Sequence, residues 1–87
     1  MKGTIIMKNM KDFSWKVVEP LGNFSDEHTK YTKELNVISW NGAKPIYDIR
    51  GWRTDENGNK HPLKGLSLKK EELIALRDIL QALDLGV

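Results

Sequence analysis

The residues of this chain whose types and spacing could do chemistry are cations interleaved with flat rings. Tyr31, Lys33, Trp40, Lys44, Arg50, Trp52, Arg53, Lys60 and Lys64 fall in one central stretch. Lysine and arginine neutralise phosphates, and rings stack on unpaired bases at about 1–3 kcal/mol per base. Such a mixture suits a single-stranded nucleic acid. Groups for catalysis are poorly placed by comparison. His28 and His61 lie far apart, with no carboxylate or nucleophile at a recognisable spacing. The Asp and Glu residues lack metal-ligand spacing, and no glycine-rich phosphate loop follows a strand. The expectation is a protein without catalytic residues, metal or cofactor.

Charge distribution points the same way. The chain has 87 residues and a formal net charge of +2. Residues 1–70 hold 13 Lys/Arg against 8 Asp/Glu, a net of +5, and residues 71–87 hold one Arg against four acids, a net of −3. A basic body with an acidic tail favours an anionic partner for the body. There is no cysteine, so neither a disulfide framework nor a thiolate zinc site can form. No apolar run approaches the ~20 residues of a membrane span. A cytoplasmic location is expected, nucleoid-associated if the host is bacterial.

Positioning these side chains takes four extended segments and one helix. Residues 1–12 read as a flexible extension and 13–87 as a single domain. Phe13–Phe24 is β-rich but interrupted by Pro20 and Gly22, as in a bent edge strand. Tyr31–Trp40 is the second strand, and Asn41-Gly42 is the signal for a two-residue type I′ hairpin. Lys44–Arg53 is the third strand and Pro62–Leu68 the fourth. A helix follows from about Lys69 to Leu85. Its Leu73, Leu76, Leu80 and Leu83 form one apolar stripe, widened by Ile79. Ser67 or Lys69 would be its N-cap.

Counting outward from the turn pairs Trp40 with Ala43, Ser39 with Lys44, Lys33 with Arg50 and Tyr31 with Trp52. Alternation then puts Tyr31, Lys33, Ser39, Lys44, Arg50 and Trp52 on one face. Ile38, Pro45, Tyr47, Ile49, Asn36 and Glu34 fall on the other. The first face is the expected nucleic-acid face. The bland alternative is a cross-strand Tyr31–Trp52 pair packing only against itself.

Tyr47-Asp48-Ile49-Arg50 followed by Trp52, then Lys64-Gly65-Leu66-Ser67-Leu68 and a leucine-rich helix, resembles the positive cofactor four family of transcriptional coactivators and their prokaryotic relatives. Lys33-Glu34-Leu35-Asn36 with Ser39-Trp40-Asn41 resembles its bacterial YdbC-like branch in particular. The resemblance covers about Trp15 to Leu83. It implies an α+β fold, a four-stranded curved antiparallel sheet followed by one C-terminal helix, assembled as a homodimer that binds single-stranded DNA with little sequence preference.

By that resemblance Arg50, Lys44 and Lys64 line a basic groove, with Lys60 in a loop that supplies another cation. Ser39 and Asn41 fall where some members place an arginine and an aromatic residue, and Trp40 stands beside them. Trp52 followed by Arg53 replaces the two aromatics of the coactivators. The expected partners are single-stranded DNA, RNA as a second possibility, and a second copy of the chain through Leu73, Leu76, Ile79, Leu80 and Leu83. The alternative function is a small dimeric protein-interaction module that uses the aromatic patch.

Overall fold

The structure is a computed structural model, and it describes residues 13–26 and 28–86. The extension expected over residues 1–12 lies outside the described residues. Four strands form one antiparallel sheet in sequence order: β1 Trp15–Asn23, β2 Tyr31–Trp40, β3 Ile46–Thr54 and β4 Lys60–Leu68. Helix α1, Lys70–Ala82, follows. This is the expected curved sheet with a C-terminal helix.

The Asn41-Gly42 turn forms as its residue types dictate. Both residues have positive φ, 52° and 75°, and the Ala43 N–H donates to the Trp40 carbonyl at 2.8 Å. Beyond the turn the pairing departs from the simple count. Ile38 faces Ile46, Glu34 faces Arg50, Thr32 faces Trp52 and Tyr31 faces Arg53. The ladder has slipped by one residue because Lys44 and Pro45 together stand opposite Ser39. Pro45 has no N–H to pair, and β3 begins only at Ile46, two residues later than expected. The Ser39 hydroxyl donates instead to the Ala43 carbonyl at 2.6 Å.

A slip of one residue moves the strand's side chains to the opposite face relative to its neighbour. The expected grouping of Tyr31, Lys33 and Ser39 with Arg50 and Trp52 is therefore overturned. One face carries Glu34, Asn36, Ile38 and Trp40 from β2 with Asp48, Arg50 and Trp52 from β3. The other carries Tyr31, Lys33, Leu35 and Val37 with Tyr47, Ile49 and Arg53.

The sheet is strongly coiled toward the first face. Trp15 pairs with Trp40 at one end of β2, and Trp52 pairs with Thr32 near the other. Eight positions along a straight strand span about 27 Å. Yet the Trp15 and Trp52 rings have centroids 6.3 Å apart. Residues far apart along the strands thus meet over the concave side of the sheet. Register shifts in β1, between Val17 and Glu19 and between Pro20 and Gly22, supply bulges that increase twist. A third lies between Arg50 and Trp52, where β4 crosses. Pro20 and Gly22 are accommodated because β1 is an edge strand.

This curl makes the concave face the core. Its fully buried residues are Ile38, Trp52, Asn36 and Asp48. Gly65 belongs to the same construction. A Cβ there would lie 2.6 Å from the Arg50 Cα, and closer still to the Arg50 Cβ. Only glycine lets β4 pass this close to β3.

The helix lies over the convex face, where Leu73, Leu76 and Leu80 border a groove of about 820 Å³ with Leu35, Ile49 and Phe24. None of its residues is buried in the single chain. It is shorter than expected, ending at Ala82, where the Leu83 N–H donates to the Leu80 carbonyl at 3.2 Å. Lys69 takes the N-cap position rather than Ser67. Lysine has no acceptor to offer, but the Glu72 carboxylate reaches back to the Lys69 N–H at 2.7 Å and satisfies that donor.

Candidate nucleic-acid interface

The concave face brings rings and cations together, though not the set the simple register predicts. Trp15 on β1 and Trp40 on β2 are directly opposite each other. Phe13 precedes β1 with the same two-residue alternation, stacks on Trp40 at 6.1 Å and 27°, and leans on Trp15 at 5.9 Å. The Phe13 ring is half exposed, at 49%. These three rings form one aromatic platform. Asn41 fastens its edge: the Asn41 N–H donates to the Ser14 carbonyl at 2.8 Å, and the Asn41 Oδ1 accepts from the Ser14 N–H at 2.7 Å. The role of Asn41 is thus to tie the start of β1 to the β2–β3 turn.

Two cations reach the rings from β3 and β4. The Arg50 guanidinium lies 4.6 Å from the Trp40 ring centroid, and the Lys60 Nζ lies 5.5 Å from that of Trp52. Lys60 also crosses β3 to reach Glu34 on β2, with Nζ to Oε2 at 2.6 Å. Glu34 is 12% exposed and further accepts from the Thr32 hydroxyl at 2.7 Å and the Asn36 amide at 3.3 Å. Burial pushes its carboxyl up. The hydrogen bonds from Lys60, Thr32 and Asn36 outweigh burial and hold it below the usual carboxylate value.

Trp52 is only 1% exposed. It sits beneath Lys60 and against Trp15, so its ring offers no free face to a base in this conformation. The other expected residues are dispersed. Tyr31 is exposed at the start of β2, on the convex side with Lys33, Ser39 and Arg53. Lys44 occupies the exposed corner after the β2–β3 turn, and Lys64 the bulge of β4 opposite Gly51. Arg50, Trp40 and Lys60 are therefore brought together on the concave face, and Tyr31, Lys33 and Arg53 are not.

Phe13 and Trp15 were not singled out as site residues from the sequence, and Glu34 and Asp48 read there as surface charges of the strands, whereas Asp48 is fully buried. A signal existed in the i, i+2 spacing of Phe13-Ser14-Trp15 and Asp48-Ile49-Arg50, which puts each pair on one strand face.

His61 joins the β3–β4 loop rather than a reactive site. Its Nε2 lies 2.8 Å from Asp55 Oδ2, while Asp55 Oδ1 accepts the Asn57 and Asn59 N–H groups at 2.9 Å each. The His61 contact and those backbone bonds hold the Asp55 carboxyl below its usual value. Among the described residues no group of three or more His, Asp or Glu side chains could hold a metal. No helix among them is long and apolar enough to cross a membrane.

Residues 28–79 match the profile of the family described as Transcriptional Coactivator p15 (PC4). The chain belongs to the PC4 family. It is also 38% identical over 74 residues to an uncharacterized protein of Treponema pallidum (strain Nichols), an alignment covering 85% of this chain and 84% of that relative. The PC4 match runs from the loop before β2 through most of α1. It therefore includes Trp40, Asp48, Arg50, Lys60 and Gly65 but starts after Phe13 and Trp15. The part of the aromatic platform contributed by the N-terminal edge strand thus lies outside the region matched to the family.

Proposed function

We propose that this PC4-family chain is a non-catalytic protein that binds single-stranded nucleic acid, DNA and also RNA, with little sequence preference. Its setting would be transcription, replication or repair in the cytoplasm or nucleoid. The observation that carries this reading is the concave face, where the Phe13–Trp15–Trp40 platform adjoins Arg50 and Lys60. Rings accept unpaired bases of any identity, and lysines track phosphates without reading sequence. Lys60, Lys44 and Lys64 are assigned to phosphate. Tyr31, Lys33 and Arg53, on the convex side, extend the basic surface around the edge of the sheet.

The protein works as a homodimer in this proposal. Phe24, Leu66, Ile79, Leu80 and Leu83 are all more than half exposed in the single chain, and Phe24, Leu35, Ile49, Leu73, Leu76 and Leu80 line the groove between α1 and the sheet. Exposed apolar surface of this kind supports an interface there. A second copy related by a two-fold axis would cover both helices and place two concave faces on one assembly. One nucleic-acid strand could then engage both, each site raising the effective concentration at the other.

Anisotropy of labelled single-stranded DNA, duplex DNA and RNA at two salt concentrations tests the reading. Single strands should bind best, with log K falling by roughly 0.7 per decade of salt for each phosphate neutralised. Equal affinity for duplex, or no salt dependence, would refute it. Absence of any binding would favour instead a protein-interaction module working through the same aromatic face.

A further inference from the structure

The Arg50 side chain has little left to offer a phosphate. Its Nε donates to Asp48 Oδ1 at 2.8 Å, its Nη2 to Asp48 Oδ2 at 2.8 Å, and its Nη1 to the Leu63 carbonyl at 2.9 Å. The planar fork that suits arginine to phosphate is thus already closed on a carboxylate. The side chain is 16% exposed and Asp48 is wholly buried. Asp48 is itself steadied by the Ser67 hydroxyl at 3.0 Å. The Leu63 carbonyl comes within reach because β4 crosses Arg50 at Gly65, where a Cβ could not fit. The strand alternation that puts Asp48 and Arg50 on one face therefore builds a rigid clamp. What the clamp holds in place is a flat cation 4.6 Å from the Trp40 ring centroid.

We propose that Arg50 is a positioning residue: Asp48 and the Leu63 carbonyl fix its guanidinium against Trp40, and it acts on nucleic acid through the aromatic platform rather than by contacting phosphate. The inference rests on the proposed single-strand binding and deepens it by dividing the labour within the concave face. The charge of Arg50 is balanced by Asp48 inside the protein. It therefore contributes little to the counterion release that makes binding salt-dependent. Its contribution is geometric, and lysine cannot replace it, because an ammonium is neither planar nor bidentate.

The test uses the full-length chain, with salt titrations of single-stranded oligonucleotide binding for Arg50→Lys and Asp48→Asn. Circular dichroism in the far ultraviolet confirms the fold of each. Arg50→Lys keeps the charge and should lose about tenfold in affinity, within the range for lost base stacking, with the salt slope unchanged. Asp48→Asn raises the net charge by one and frees the fork, yet should also weaken binding. In a Trp40→Ala background, Arg50→Lys should have no further effect, because both changes act on one ring.

A direct phosphate contact predicts the reverse. Arg50→Lys would bind nearly as well as wild type, Asp48→Asn would bind more tightly with a steeper salt slope, and the two changes would add. Any of these results overturns the assignment. Either single variant decides the question if the other fails to fold. Failure of the wild-type chain to bind single strands would instead refute the underlying function.

Discussion

Lys60 on β4 and Glu34 on β2 form an ion pair that spans the whole of β3, with Nζ and Oε2 at 2.6 Å. The Lys60 side chain is still 46% exposed, whereas that of Glu34 is nearly covered. The pair therefore holds a cation at the rim of the concave face while its counter-charge stays inside. A phosphate arriving at Lys60 competes with Glu34.

Neutralising that competitor should strengthen binding. Glu34→Gln keeps an acceptor for Thr32 but removes the negative charge beside Lys60. We expect higher affinity for single strands and a salt slope steeper by up to about 0.7, one additional phosphate equivalent. Lys60→Gln should flatten the slope. A Glu34→Gln variant that is folded yet binds more weakly at low salt would show that Lys60 must be held by Glu34 to function.

Acid stability follows from the same carboxylate. Its folded-state pKa lies below the usual value of 4.5, so the unfolded chain takes up this proton first as pH falls. The stabilisation is present above about pH 4.5 and is lost as pH drops through the folded-state value. Denaturant midpoints at pH 7, 4.5 and 3 should fall more steeply for wild type than for Glu34→Gln. Identical profiles would exclude Glu34 as a contributor. The exposed Asp26 and partly buried Asp55 carboxylates, also lowered by histidine contacts and backbone N–H groups, add to the acid loss in both proteins.

Trp40 and Trp52 should separate cleanly on mutation. Trp40→Ala removes a partly exposed ring from the platform and should weaken single-strand binding by about 1–3 kcal/mol in a folded protein. Trp52→Ala removes a ring that is 1% exposed and should cost about 3–5 kcal/mol of stability, enough to unfold a domain of this size. Thermal melts and oligonucleotide titrations on both variants check the pair. A stable Trp52→Ala protein with impaired binding would mean that the ring swings out to meet its ligand.

Leu80→Asp places a charge in the groove between α1 and the convex face, at a residue 55% exposed in the single chain. In a monomer such a change is mild. If a second copy covers the helix, it should dissociate or unfold the assembly. Light scattering should give twice the chain mass for wild type. A wild-type monomer with undiminished affinity would remove the dimer from the proposal.

Much of the fold was legible because local chemistry dictates it. Asn41-Gly42 can only be a tight turn with positive φ, and the leucine stripe from Leu73 to Leu80 can only be one face of a helix. The faces of the central hairpin were not legible. They depend on whether Pro45 lies in the ladder or beside it, and a proline without an N–H lets two residues oppose Ser39. That single slip sent Tyr31, Lys33 and Arg53 to the convex side and joined Arg50 and Trp52 to Trp40. The burial of Trp52 was hidden for a different reason. It results from the coiling of the sheet, which brings Trp15 across from the far end of β2, a distance no alternation pattern encodes.

All three tryptophans of the chain, Trp15, Trp40 and Trp52, lie on the concave face. The convex face and the helix carry none. The tryptophan emission of this protein, excited selectively over its two tyrosines, therefore originates beside the proposed binding surface. A base stacking on the platform should quench that emission, whereas an event confined to the helix should leave it nearly unchanged. The coiled sheet has thus given the molecule a built-in optical probe that can distinguish occupancy of one face from assembly through the other, without any label.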